Sequence, residues 1–303
     1  MEARPDDDVI TYNTEADGSG EEIVMTREQD RQVLLEFAQR REWDDAETLR
    51  EIAMACFHSA YFPEAAAICR RILELEPDDD GALLHLGVGL LHDGQLAEAE
   101  RAVLDYLRRC PDCVVGLVNL AKVYAELGRE ADALAALERA LDLDPDHTHA
   151  LDLFYLTLRE AGRTQEALER LERMAQERPE AWGPCRTLAQ HWQRENDIEG
   201  AVACYLRAFE RAPRNAELLR TLSGYLGQAG RPDELVRVVE RAARLGPIPP
   251  EATYNLARAY LELGRADDAR ALLEALRGGA TPAWQPILDD LAAAIEAASL
   301  QPA

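Results

Sequence analysis

Two cysteines three residues apart are the sharpest chemical signal in this chain. Cys110-Pro-Asp-Cys113 has the spacing of a redox-active pair or of half a zinc site. A thiol near a helix start, as Cys113 is expected to be, can have its pKa lowered there. His147 and His149 follow and have imidazoles of the kind that complete a metal site. No second Cys-x-x-Cys accompanies the pair and no strand-turn-helix frames it. Three readings stay open: a turn that holds two cysteines, a redox-sensitive pair, or a metal site. Cys56, Cys69 and Cys185 fall in apolar slots and read as small core residues.

Other catalytic patterns are missing. The chain has no glycine-rich phosphate loop, no His-Glu-x-x-His and no Gly-x-Ser-x-Gly. Acidic residues number 57 against 33 basic ones, so a carboxylate pair can be drawn almost anywhere. Solvated helix faces account for them. The expectation is no enzyme and no cofactor.

The elements that would carry these residues announce themselves by period. Pro77, Pro111, Pro145, Pro179, Pro213 and Pro247 stand 34 residues apart. With proline at about one residue in twenty, six in register arise by chance with a probability on the order of 10⁻⁸. A second ladder holds Gly94, Gly128, Gly162, Asn196, Gly230 and Gly264, and a third Ala65, Ala99, Ala133, Ala167, Ala201, Leu235 and Ala269. Glycine ends a helix in a left-handed turn without steric penalty, and asparagine is the next best residue there. Proline stops the following helix. Each unit therefore reads as helix, tight turn, helix, tight turn. Between the rungs the apolar spacing is helical, as in Leu83, Leu86, Gly87 and Leu90. The small third residue lets neighbouring helices approach.

Composition sets further bounds. The formal net charge is −24, which speaks against nucleic acid and against anionic membranes. The opening residues lack the basic and apolar regions of a signal peptide. No apolar run approaches the ~20 residues of a membrane helix, so a cytoplasmic protein is expected. Lys122 is the only lysine beside 32 arginines, a bias of composition rather than of function.

The pattern of apolar residue, Leu-Gly/Ala, Tyr or Leu, Gly, Ala, apolar residue, Ala and Pro resembles the tetratricopeptide repeat. Asn119 to Pro145, NLAKVYAELGREADALAALERALDLDP, fits it at nearly every slot. The resemblance covers seven units, 46–79, 80–113, 114–147, 148–181, 182–215, 216–249 and 250–283. It implies an all-α fold, a right-handed superhelical solenoid of antiparallel helix pairs. Residues 26–45 read as a degenerate half-repeat opened by a Thr26/Gln29 capping box. Residues 284–303 read as a capping helix and tail, with Leu288, Leu291 and Ile295 in phase once one residue is inserted near Gly278. Residues 1–25 read as an acidic, disordered leader, or as a segment able to occupy the groove.

The resemblance also implies that the first helix of each unit lines a concave groove, and that the protein is a non-catalytic adaptor holding another protein or peptide there. The residues expected to face the partner are Met54, Phe57, Leu84, Val88, Leu91 and Val118 on an apolar stretch. Asn119 and Lys122 come next, and Arg186, Arg220, Asn255 and Arg258 follow on a cationic one. The helix Ala82 to His92 is apolar nearly all round, as a helix covered on every side would be. Related domains hold a chaperone tail by a clamp of lysines, asparagines and an arginine. Only Asn119 and Lys122, and again Asn255 and Arg258, match part of it. Alternatives are a module that self-associates through an end helix, and a redox-sensitive switch through Cys110 and Cys113.

Overall fold

The computed structural model describes residues 9–13, 22–40, 44–279 and 281–299. The chain divides into two compact units, Met1–Asp144 and Pro145–Ala303. Each is a stack of antiparallel helix pairs.

The first unit begins with two antiparallel strands, β1 (Val9–Asn13) and β2 (Glu22–Thr26), in which Val9 pairs with Thr26 and Tyr12 with Ile23. The sequence reading expected a disordered leader over these residues. The β-branched runs VITY and EIV instead pair with each other, as such residues favour strands. Residues 1–8 and 14–21 lie outside the described residues. Helix α1 (Arg27–Arg40) follows directly. Thr26 and Gln29 exchange the two reciprocal hydrogen bonds of a capping box, at 2.9 and 3.2 Å. Three pairs come next: α2 (Ala46–His58) with α3 (Phe62–Leu75), α4 (Asp80–His92) with α5 (Leu96–Arg109), and α6 (Val114–Glu126) with α7 (Glu130–Leu143).

The second unit holds four pairs and a cap. They are α8 (Thr148–Glu160) with α9 (Thr164–Glu177), α10 (Gly183–Arg194) with α11 (Ile198–Arg211), α12 (Ala216–Gln228) with α13 (Pro232–Leu245), and α14 (Pro250–Glu262) with α15 (Ala266–Arg277). A single 3-10 turn, Pro282–Trp284, leads into α16 (Gln285–Ser299), whose Leu288, Leu291 and Ile295 are buried.

The ladders explain this regularity. Gly94, Gly128, Gly162, Asn196, Gly230 and Gly264 all have left-handed backbone, with φ between 60° and 77°. The turn closes by two bonds: the Gln95 N–H donates to the Leu90 carbonyl at 2.9 Å, and the Gly94 N–H to Leu91 at 3.1 Å. The same turn ends α2, where the rung is Ala60 at φ 59° and the Tyr61 N–H donates to Cys56 at 2.8 Å. An alanine in this conformation is held against its preference by roughly 1–2 kcal/mol. Every residue of the alanine ladder is buried. Glycines add close approaches in α4. A Cβ on Gly87 would meet Val103 of α5 at 2.5 Å, and one on Gly89 would meet Ala66 of α3 at 3.3 Å. Helix α4 is apolar because it is packed from two sides.

Candidate functional site

The residues one step off the core stripe of the first helices share a face within each unit. In the first unit this face belongs to α2, α4 and α6. Met54 is 40% exposed, and Phe57, Leu84 and Val88 are half-buried. Phe57 lies against His85 with ring centroids 5.4 Å apart. Burial pushes the His85 imidazole below its ordinary pKa, against a smaller upward pull from Asp79. Two expected partner-facing residues are placed otherwise: Leu91 and Val118 are buried, Val118 at 3% exposure. They belong to the packing of neighbouring helices. The spacing gives a residue's direction from its own helix but not how far the next helix leans over it.

Asn119 and Lys122 sit one turn apart on α6. Asn119 is 8% exposed, and its side chain makes no hydrogen bond among the described residues. Lys122 is half-buried and has no ion pair among the described residues. Burial alone pushes its ammonium pKa down. An amide and a cation held this way lack the partners that buried polar groups normally have.

In the second unit the face belongs to α8, α10, α12 and α14. Arg186 was expected to await an acidic partner. It is 6% exposed instead and donates to Asp152 Oδ1 at 2.7 Å and to the Thr148 carbonyl at 3.3 Å. It serves the packing of α10 on α8. Asp152 stands 34 residues before Arg186, so it occupies the same slot one repeat earlier. Opposite charges in one slot of successive repeats are the sequence signal that identifies such a pair. Arg220 and Arg258 are exposed, and neither has an ion pair among the described residues. Asn255 is half-buried and donates from Nδ2 to Ser223 Oγ at 3.1 Å, while the buried Ser223 hydroxyl donates to the Arg220 carbonyl at 3.1 Å. Ser223 occupies the small third slot of its repeat, 34 residues on from Ala189, and it fixes the Asn255 amide. Asn255 and Arg258 line a cleft of about 280 Å³ between α12 and α14.

The cysteine pair lies elsewhere, in the turn between α5 and α6. Cys113 is the residue before α6, and Tyr106 donates its hydroxyl to Cys113 Sγ at 3.1 Å. The Cys110 thiol faces Asp80 Oδ2 at 3.6 Å. Burial and that carboxylate push its pKa up, opposite to what an activated thiolate needs. His147 caps α8, its Nδ1 accepting from the Ala150 N–H at 3.2 Å. Among the described residues no group of three or more His, Cys, Asp and Glu side chains could hold a metal ion. No helix among them is long and apolar enough to cross a membrane.

Family models described as tetratricopeptide repeat match residues 60–113, 114–147, 158–223 and 227–295. No curated protein matches the chain. A tetratricopeptide repeat protein from Parabacteroides merdae is 15% identical, with a TM-score of 0.40 over 83% of this chain and 98% of its own. A thermophilic one from Thermus thermophilus is 20% identical, with a TM-score of 0.41 over 60% of this chain and 99% of its own. MamA from Desulfovibrio magneticus is 19% identical, with a TM-score of 0.43 over 50% of this chain and 84% of its own. None of the three carries an argument about what this chain binds.

Proposed function

The chain belongs to the tetratricopeptide-repeat family, and from that premise we propose that it is a non-catalytic scaffold that holds another protein or a peptide on its first-helix faces. The observation that carries this reading is a set of cations without an ion pair among the described residues: the half-buried Lys122 and the exposed Arg220 and Arg258. The chain pairs most of its arginines, such as Arg207 with Glu172 at 2.9 Å and Arg129 with Glu100 at 2.7 Å, while these three cations on first helices have no ion pair among the described residues. Paired charge-assisted hydrogen bonds from arginine suit a carboxylate. Half-exposed Leu84 and Val88 offer apolar area on the first unit. The partner read from these groups is acidic where it meets the second unit and apolar where it meets the first.

The test is affinity capture with the intact chain and with a double charge reversal, Arg220→Glu with Arg258→Glu. The reading requires the captured protein to be lost or weakened by about tenfold or more, as for removal of central charged contacts. Equal capture by both chains removes the arginines from the interface. A cytoplasmic protein is the location this reading carries with it.

A further inference from the structure

The turn between α5 and α6 puts thiols in two slots that other repeats fill differently. Cys113 is the residue before α6, and in steps of 34 residues the same slot holds Asp79, His147 and Asn215. Each of those three caps its helix, accepting from the N–H of Ala82 at 2.8 Å, of Ala150 at 3.2 Å and of Leu218 at 2.9 Å. The Cys113 side chain makes no cap bond. Cys110 ends α5, in the slot of Glu76 and Ala212. The fold itself draws the two slots together. The Cys113 N–H donates to the Cys110 carbonyl at 3.3 Å, as Asp79 does to Glu76 at 3.1 Å and Asn215 to Ala212 at 3.0 Å. Such a turn keeps its end Cα atoms within about 7 Å, and proline, here Pro111, suits its second position. A disulfide spans about 4.4–6.8 Å between Cα atoms. Only this repeat has sulfur at both ends of the turn.

The two sulfurs share one neighbour and differ in another. The Tyr106 hydroxyl donates to Cys113 Sγ at 3.1 Å and also bonds the Cys110 thiol, so one oxygen touches both sulfurs. The bond to Cys113, with burial, pushes the Tyr106 pKa up, and the hydroxyl stays the donor. Its ring lies close against the first turn of α6, where a Cβ on Gly116 would meet it at 2.8 Å. Cys110 alone of the pair faces a carboxylate, Asp80 Oδ2 at 3.6 Å. Burial first and that carboxylate second push its pKa up. Cys110 therefore holds its proton and is the poorer nucleophile of the two. Both thiols are partly exposed, whereas the other four cysteines are buried. Burial pushes Cys56 up to about 11 and Cys69 up to about 12, as suits inert core thiols.

We propose that Cys110 and Cys113 form a thiol-exchange site for small-molecule disulfides of the glutathione type, in which Cys113 is modified first and Cys110 resolves the product. The Cys113 thiolate attacks one sulfur of the small disulfide. That S–S bond breaks, one glutathione leaves, and a mixed disulfide remains on Cys113. Cys110 then gives up its proton, attacks Cys113 Sγ and expels the second glutathione. The two protein thiols lose two electrons in all and the small disulfide gains them. The two thiol protons end on the two glutathiones released. An excess of reduced glutathione runs both steps backwards. The closed bond ties the end of α5 to the start of α6 within the first unit. The site is independent of what the first-helix faces hold.

The test exposes the reduced full chain to glutathione buffers of rising disulfide content. The reaction is quenched with acid, free thiols are blocked with iodoacetamide, and the intact chain and its fragments are weighed. The wild-type chain is expected to lose two of its six alkylatable thiols. The end product should carry a Cys110–Cys113 link and no glutathione. Cys110→Ser is expected to stop with one glutathione on Cys113. Cys113→Ser is expected to take up glutathione at least about tenfold more slowly, since a thiol that holds its proton attacks poorly. Equal rates in the two serine variants overturn the assigned order and the proposal with it. Glutathione that stays on the wild-type chain overturns it too, by making the cysteines two independent thiols, as does a disulfide between two chains. A native chain that keeps all six thiols, in a buffer that oxidises the same chain in urea, also overturns it.

Discussion

The two units share their ladders and differ in what their first helices expose. In Met1–Asp144 the face carries Met54, Leu84 and Val88 beside a desolvated lysine. In Pro145–Ala303 it carries a buried Arg186 paired with a half-exposed Asp152, two arginines without an ion pair among the described residues and a cleft lined by two glycines. The buried alanines and the left-handed turn are the same in both. Core and face slots are therefore separate sets of positions on one helix. The first set fixes the stacking, and the second is free to vary in charge and size without disturbing it.

The largest expected effect tests whether the second face contributes to its own unit's stability. Asp152→Ala leaves the Arg186 guanidinium buried without its carboxylate. It is expected to lower stability by about 2–3 kcal/mol. Met54→Ala on the first face is expected to stay under about 1 kcal/mol. Urea denaturation followed by tryptophan fluorescence reads the first change, since Trp182, Trp192 and Trp284 all lie in the second unit. Equal losses at the two sites would erase the contrast.

Each unit has a desolvated histidine on a first helix, half-buried at His85 and buried at His191. Burial holds both His85 and His191 below their ordinary pKa, and His191 Nδ1 is 2.8 Å from the Tyr155 hydroxyl. The unfolded chain then takes up protons first. Stability is full above the unfolded value of about 6.5 and falls as pH drops from there toward the lower folded value. Urea midpoints measured from about pH 7.5 down to about pH 5 should fall. His85→Gln and His191→Gln should each flatten part of the slope. A slope left unchanged by one of them confines the effect to the other unit.

Smaller effects concern the turn and the thiols. Ala60→Gly relieves a left-handed alanine in the first unit and is expected to stabilise by about 1 kcal/mol. Asn196→Gly in the second should gain only a few tenths, since asparagine tolerates that conformation. A similar gain at both would mean that Ala60 is relieved by its surroundings. Among the cysteines only Cys110 and Cys113, both in the first unit, are partly exposed. A thiol reagent should modify these two quickly in the native chain and the remaining four only on unfolding.

The sequence carried the scaffold and lost parts of the face. Every rung of the glycine ladder takes left-handed backbone and every rung of the alanine ladder is buried, because turns and core slots are dictated locally. Ala60 escaped because alanine gives no sign of left-handed backbone, although Gly94 stands 34 residues after it. Arg186 escaped because direction from a helix axis does not reveal what the adjacent helix presents. The cleft lined by Gly224 and Gly227 escaped a reading that used glycine only to end helices or to bring them together, since open space has no residue type. The β1–β2 pairing escaped because two short alternating runs were weighed as parts of an acidic tail.

The bridges between successive turns have one more consequence. Arg109 reaches back 32 residues to the Pro77 carbonyl at 3.1 Å, Arg139 28 residues to Pro111 at 2.6 Å, and Arg211 30 residues to Ala181 at 2.6 Å. Each tie closes over about one repeat, so little chain must be gathered before it forms. Low sequence separation favours rapid folding, and a chain is made from its N-terminus at about 5–20 residues per second. Within each unit a new helix pair can therefore lock onto the previous one as it leaves the ribosome, and the growing end is the template for the next turn.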